Sequence, residues 1–82
     1  MKISDLKWNV KYDITVLEDT ETQPKGTYHN CQLECIGGYN YQADFYVNLN
    51  EDVDYEDISD DDICVITQND LDSELVLIKE LN

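Results

Sequence analysis

The sequence predicts an all-β or β-dominated α+β fold of about five antiparallel strands in a small sheet or barrel. Three observations carry this. Apolar and polar residues alternate with period two from Lys7 to Leu17 and again from Tyr39 to Leu49. Turn formers separate the runs, with Pro24 and Gly26 in one gap and Gly37-Gly38 in another. No run repeats its apolar residues at the helical spacing; at most one short helix is expected, in the acidic segment.

Met1 to Leu6 carries no clear pattern. In the next run Trp8, Val10, Tyr12, Ile14 and Val16 alternate with Lys7, Asn9, Lys11, Asp13 and Thr15, which reads as a half-buried strand. Glu18 to Gly26 is a polar loop. Tyr28 to Ile36 is a second strand with Cys31, Leu33 and Cys35 on one face. In Tyr39 to Leu49, Ala43, Phe45 and Val47 share a face with Tyr39, Tyr41 and Leu49, while Gln42, Asp44 and Tyr46 take the other. Pairing these two strands across Gly37-Gly38 has one good register. It sets Cys35 against Tyr39, Leu33 against Tyr41 and Cys31 against Ala43, because a slip by one residue would oppose apolar to polar faces. Ile63 to Thr67 is a short apolar strand, Gln68 to Ser73 a turn, and Glu74 to Leu81 the last strand. The expected core includes Trp8, Val10, Ile14, Phe45 and Val47.

The 82 residues fit one domain, 1–82, with 50–62 as an acidic insertion or loop between strands. That insertion, Asn50 to Asp62, holds eight carboxylates in thirteen residues and no basic residue. No Lys or Arg occurs from Gly26 to Ile78, and the whole chain has 19 acidic and five basic residues for a formal charge of −14. Such a charge repels nucleic acid and anionic membranes, so neither is expected as a direct partner. Solubility, salt adaptation and local disorder are the alternative reasons for an acidic stretch. Forty-one per cent apolar residues and six tyrosines argue against disorder of the whole chain.

Cys31, Cys35 and Cys64 are an odd number, with no secretory signal or membrane-spanning run beside them. Free, largely buried thiols in a reducing cytoplasm are the expectation. His29, Cys31, Cys35 and Cys64 are zinc-type ligands, but the first three on one strand are too far apart to converge. Asp52, Asp54 and Glu56 match the opening of a calcium loop. The match ends at Asp57, where glycine is needed, and at Ile63, where the closing glutamate belongs. No metal or other cofactor is therefore expected, beyond weak divalent-cation binding. One histidine, no arginine and no phosphate-binding or nucleophile motif leave no catalytic constellation, so the protein is expected not to be an enzyme.

Recognition through carboxylates remains. Same-face residues of an extended chain lie about 6.6 Å apart. Asp52, Asp54 and Glu56 then form a row of charge, and a carboxylate accepts paired arginine hydrogen bonds much as a phosphate does. The candidate contact residues are Asp44, Tyr46, Glu51, Asp52, Asp54, Tyr55, Glu56, Asp57, Asp60, Asp61 and Asp62. Tyr46 and Tyr55 are the aromatic anchors where bases would stack.

In size, charge and β-rich pattern the chain resembles the small acidic phage-encoded inhibitors that mimic DNA, including anti-CRISPR proteins. A local run is similar to a strand pair of the uracil-DNA glycosylase inhibitor: Asp62-Ile63-x-Val65-x-Thr67, then Asp70, then Val76-Leu77. Met1 to Leu17 reads as a basic strand where that inhibitor has a helical acidic segment. The resemblance implies inhibition of a CRISPR nuclease, a repair glycosylase or a restriction enzyme, by a monomer or homodimer acting in a host bacterial cytoplasm. An acidic immunity or adaptor protein that binds a basic protein without mimicry is the alternative.

Overall fold

Lys11 to Val16 forms the first strand, β1, because its branched and aromatic residues alternate cleanly: Tyr12, Ile14 and Val16 are buried and Lys11, Asp13 and Thr15 are not. Around it the computed structural model, which describes residues 2–37, 41–47 and 62–81, arranges one antiparallel sheet. The other strands are β2 (Gly26–Gly37), β3 (Gln42–Tyr46), β4 (Ile63–Thr67) and β5 (Val76–Leu81). Their order is β4-β3-β2-β1-β5: a meander of four strands, with the last strand returning beside the first. The small β-dominated fold expected from the sequence is the one observed.

One face of the sheet is buried. Tyr12, Ile14 and Val16 meet Cys31, Leu33, Ala43, Phe45, Cys64, Ile66 and Val76 there, and the Tyr12 and Phe45 rings meet edge to face with centroids 6.1 Å apart. Two segments complete this core. A 3-10 turn at Ile3–Asp5 inserts Ile3 and Leu6 at one end, held by Ile3 N donating to Gln68 Oε1 at 2.8 Å and Lys7 N to the Tyr12 hydroxyl at 2.9 Å. A short helix, α1 (Gln68–Asp72), bridges β4 and β5 and packs Leu71 against the core.

The sequence reading needs four corrections. The first strand starts at Lys11, and Trp8 sits in a turn, about half exposed; Val10 and Val47 lie at the core margin. The segment read as a turn after Thr67 is helical. Thr67 Oγ1 accepts from Asp70 N at 3.2 Å and the Asp70 carboxylate accepts from Thr67 N at 3.1 Å, so each residue satisfies the other's free backbone donor. Next, β2 pairs with β3 through Leu33 opposite Phe45 and Ile36 opposite Ala43, four to five residues out of the expected register. Apolar still faces apolar, as the slip argument requires, but the connection is longer than Gly37-Gly38 implied. Finally, an extra residue between Leu33 and Cys35 shifts the alternation, so Cys35 is exposed while Cys31 and Cys64 are buried.

A second irregularity lies between β1 and β2. Tyr12 pairs with Cys31 and Ile14 with Tyr28, so Asp13 faces both His29 and Asn30. Asn30 takes a positive φ of 52°, its N–H donates to Asp13 Oδ1 at 3.3 Å, and His29 Nδ1 lies 3.4 Å from the same oxygen. Asparagine tolerates this left-handed backbone better than most residues.

Candidate functional site

The chain leaves the sheet at Val47 and re-enters it at Asp62, and Val47 N donates to Asp62 O at 2.7 Å. Both ends of the acidic connection are thus fixed at one corner of the sheet. Asp62 is exposed there. Glu51, Asp52, Asp54, Tyr55, Glu56, Asp57, Asp60 and Asp61 lie outside the described residues, as does any short helix in that stretch.

Asp44 and Tyr46 lead toward the same corner. Both lie on the face of β3 away from the core, two residues apart, because their neighbours Ala43 and Phe45 point inward. Asp44 accepts from Gln42 Nε2 at 3.0 Å and lies opposite Val65 on β4 and the exposed Cys35 on β2. Tyr46 lies between Gln32 on β2 and Ile63 on β4, and is half-buried in that row. The row continues through Lys11, whose Nζ donates to Gln32 Oε1 at 2.8 Å, to Leu81. Of the candidate contact residues, the fold therefore places Asp44 and Tyr46 on the outer face of β3, and Asp62 exposed where the chain enters β4.

Lysine contacts among the described residues offset little of the acidic charge. Among the described residues, one lysine–carboxylate contact occurs, Lys7 Nζ to Glu80 Oε1 at 3.4 Å, and both side chains are largely exposed. Its net worth is small, because water screens the pair. Several acids instead accept from nearby groups: Asp5 from Lys2 N, Asp19 from Lys25 N and Asp72 from Gln68 Nε2. Such bonds orient a carboxylate without neutralising it.

The thiols are packing groups. Burial, with a contribution from Asp13, pushes Cys31 up to about 12, and burial with the neighbouring Cys31 does the same for Cys64. Both stay protonated at neutral pH and are poor metal ligands. The two irregularities also place His29 and Cys35 away from the core and Cys31 and Cys64 within it, so the four zinc-type side chains do not share one face. Among the described residues no group of three or more His, Cys, Asp or Glu side chains is placed to hold a metal ion.

A cleft of about 470 Å³ runs between the β1–β2 loop and α1, past Asp19, Glu21, Asn69 and Asp70. A second, of about 350 Å³, opens beside Ile3, Ile36 and the exposed Tyr41. The sequence reading marked neither, because both are assembled from segments distant in the chain. No described helix is long and apolar enough to cross a membrane.

No family model, curated protein or solved structure matches this chain.

Proposed function

We propose that this protein inhibits a nucleic-acid enzyme by occupying the basic groove in which that enzyme holds DNA or RNA. A CRISPR effector nuclease is the first candidate target; a uracil-DNA glycosylase or a restriction enzyme is next. The protein acts by binding, without catalysis or cofactor. One observation carries the reading: nineteen carboxylates face five lysines, and among the described residues a single exposed lysine contact offsets them. Acids without a basic partner repel one another in a free protein. A surface rich in Lys and Arg relieves that repulsion and supplies the bidentate donors that carboxylates accept. The outer-face position of Asp44 and the exposure of Asp62 at the fixed end of the 50–62 segment fit a charged surface near that corner.

The test is capture of the partner from a bacterial lysate, followed by competition with double-stranded DNA for the captured protein. Mimicry requires the two to exclude each other, with affinity falling as salt rises. Replacing Asp60, Asp61 and Asp62 together by Asn should weaken capture by about an order of magnitude, if their ion pairs are desolvated in the groove. A ternary complex with DNA would instead identify an adaptor. A triple variant that binds as tightly as the parent, with binding lost on Tyr46→Ala, would show an apolar interface and end the mimicry reading.

A further inference from the structure

The two edges of the sheet are treated differently. In an antiparallel ladder, alternate residues turn their N–H and C=O groups away from the neighbouring strand. On β4 the bonds Val47 N to Asp62 O and Gln68 N to Tyr41 O fix the phase, leaving Ile63, Val65 and Thr67 facing outward. Val65 and Thr67 are capped by side chains. Val65 N donates to Gln23 Oε1 at 3.0 Å, Val65 O accepts from Thr22 Oγ1 at 3.0 Å, and Thr67 N donates to Asp70. On β5 the bond Leu17 N to Leu75 O fixes the phase in the same way, so Val76, Ile78 and Glu80 face outward. Among the described residues no hydrogen bond reaches their backbone groups. The strand carries no proline, and Leu77 is 56% exposed beside it. An open edge of this kind is a template for another strand.

We propose that β5 is a docking edge that takes up an extended, lysine- or arginine-bearing segment of the partner as a sixth strand. The inference rests on the basic partner proposed above and names how it makes contact. Charge selects the occupant. A second copy would bring another −14 to the interface, whereas a basic segment is attracted. Side chains select its pattern. Glu80 Oε1 is already shared with Lys7 Nζ at 3.4 Å, so the exposed Glu74 just before the strand is the carboxylate that favours Lys or Arg opposite the start of β5. Leu77 and Leu81 on the outer side favour apolar residues between them. Lys79, the one basic residue of the strand, stands in register with Asp13 of β1, which lessens its repulsion.

The test uses the peptide acetyl-Lys-Val-Lys-Thr-Lys-Val-Lys-amide and its analogue N-methylated at alternate backbone positions, which keeps the charge but cannot complete a ladder. Amide shifts of the isotope-labelled protein are followed during titration. The unmodified peptide should shift Val76, Ile78 and Glu80, and the methylated one should bind about tenfold more weakly or worse. In the protein, Glu80→Pro removes an outward N–H that the fold does not use, a position where an edge strand accepts proline. It should lose peptide binding while Glu80→Gln keeps it, with both variants melting close to the parent. Equal binding of the two peptides, or shifts confined to the acidic residues, would overturn the docking edge and leave the charge-based reading standing. Peptide pairing at β5 that is indifferent to salt, with DNA and the captured protein binding together, would keep the edge and end the mimicry reading. No binding of either peptide would overturn the edge proposal.

Discussion

Among the described residues, Gln23 is a buried side chain that ties one edge of the sheet to a distant loop, and removing its acceptor should loosen the whole fold. The loop after β1 crosses to the far edge strand, where Gln23 Oε1 takes the Val65 N–H at 3.0 Å. Thr20 Oγ1 orients the loop by accepting from Gln23 N at 2.9 Å. Gln23→Leu keeps much of the volume and leaves the part-buried Val65 N–H without a partner. An unsatisfied buried donor costs about 1–3 kcal/mol, and the partial burial argues for about 1.5 kcal/mol. For a domain of this size that is a fall in melting temperature of about 6–12 °C. Thr22→Val removes the more exposed bond to Val65 O and should cost about 0.5 kcal/mol. Both variants can be read by urea unfolding, with amide exchange at Val65 as the local probe. The double variant should fall short of the sum of the two, because both bonds hold the same loop to the same residue. A Gln23→Leu protein with unchanged melting and unchanged exchange at Val65 would refute the reasoning, since water would then be satisfying that edge.

Three further outcomes are expected. Iodoacetamide should label Cys35 in the folded protein near neutral pH and reach Cys31 and Cys64 only on unfolding. Their folded values lie near 12 against an ordinary 9.0, so their contribution to stability is complete below about 9 and is lost as pH rises towards 12, which denaturation across that range measures. Asn30→Gly should leave stability unchanged or slightly raised, whereas Asn30→Val should cost about 1–2 kcal/mol at the positive φ; chemical denaturation of both separates backbone strain from loss of the side chain. The melting temperature should rise with added sodium chloride, because screening relieves repulsion among the acids, and a flat response would mean that those charges are already compensated.

The sequence alone determined what depends on neighbours along the chain. Alternation at Tyr12, Ile14 and Val16, and at Ala43 and Phe45, named the buried face of two strands before any contact was known, because the side-chain period of a strand is a local property. The excess of carboxylates over lysines also stands in the composition. The Thr67-x-x-Asp70 pairing that starts α1 was readable in the same way, though acidic surroundings and a short apolar content made it pass for a turn. What the chain order could not supply is everything that counts residues across strands. An extra residue beside Leu33 turned Cys35 outward, and a longer connection moved the β2–β3 register, because bulges and loop lengths break the period on which the reading relies. Trp8 continues the β1 alternation in sequence, but the strand begins at Lys11, and Ile3 and Leu6 from the preceding turn join the buried core while Trp8 stays exposed. Only tertiary packing decides which of several apolar residues gets a limited volume. Nor is there any local sign that Gln23 seals one edge of the sheet while, among the described residues, nothing bonds the outward groups of β5. Both facts arise from strands brought together in the order β4-β3-β2-β1-β5, and hydrogen bonds spanning some forty residues leave no trace in the pattern of the residues between them.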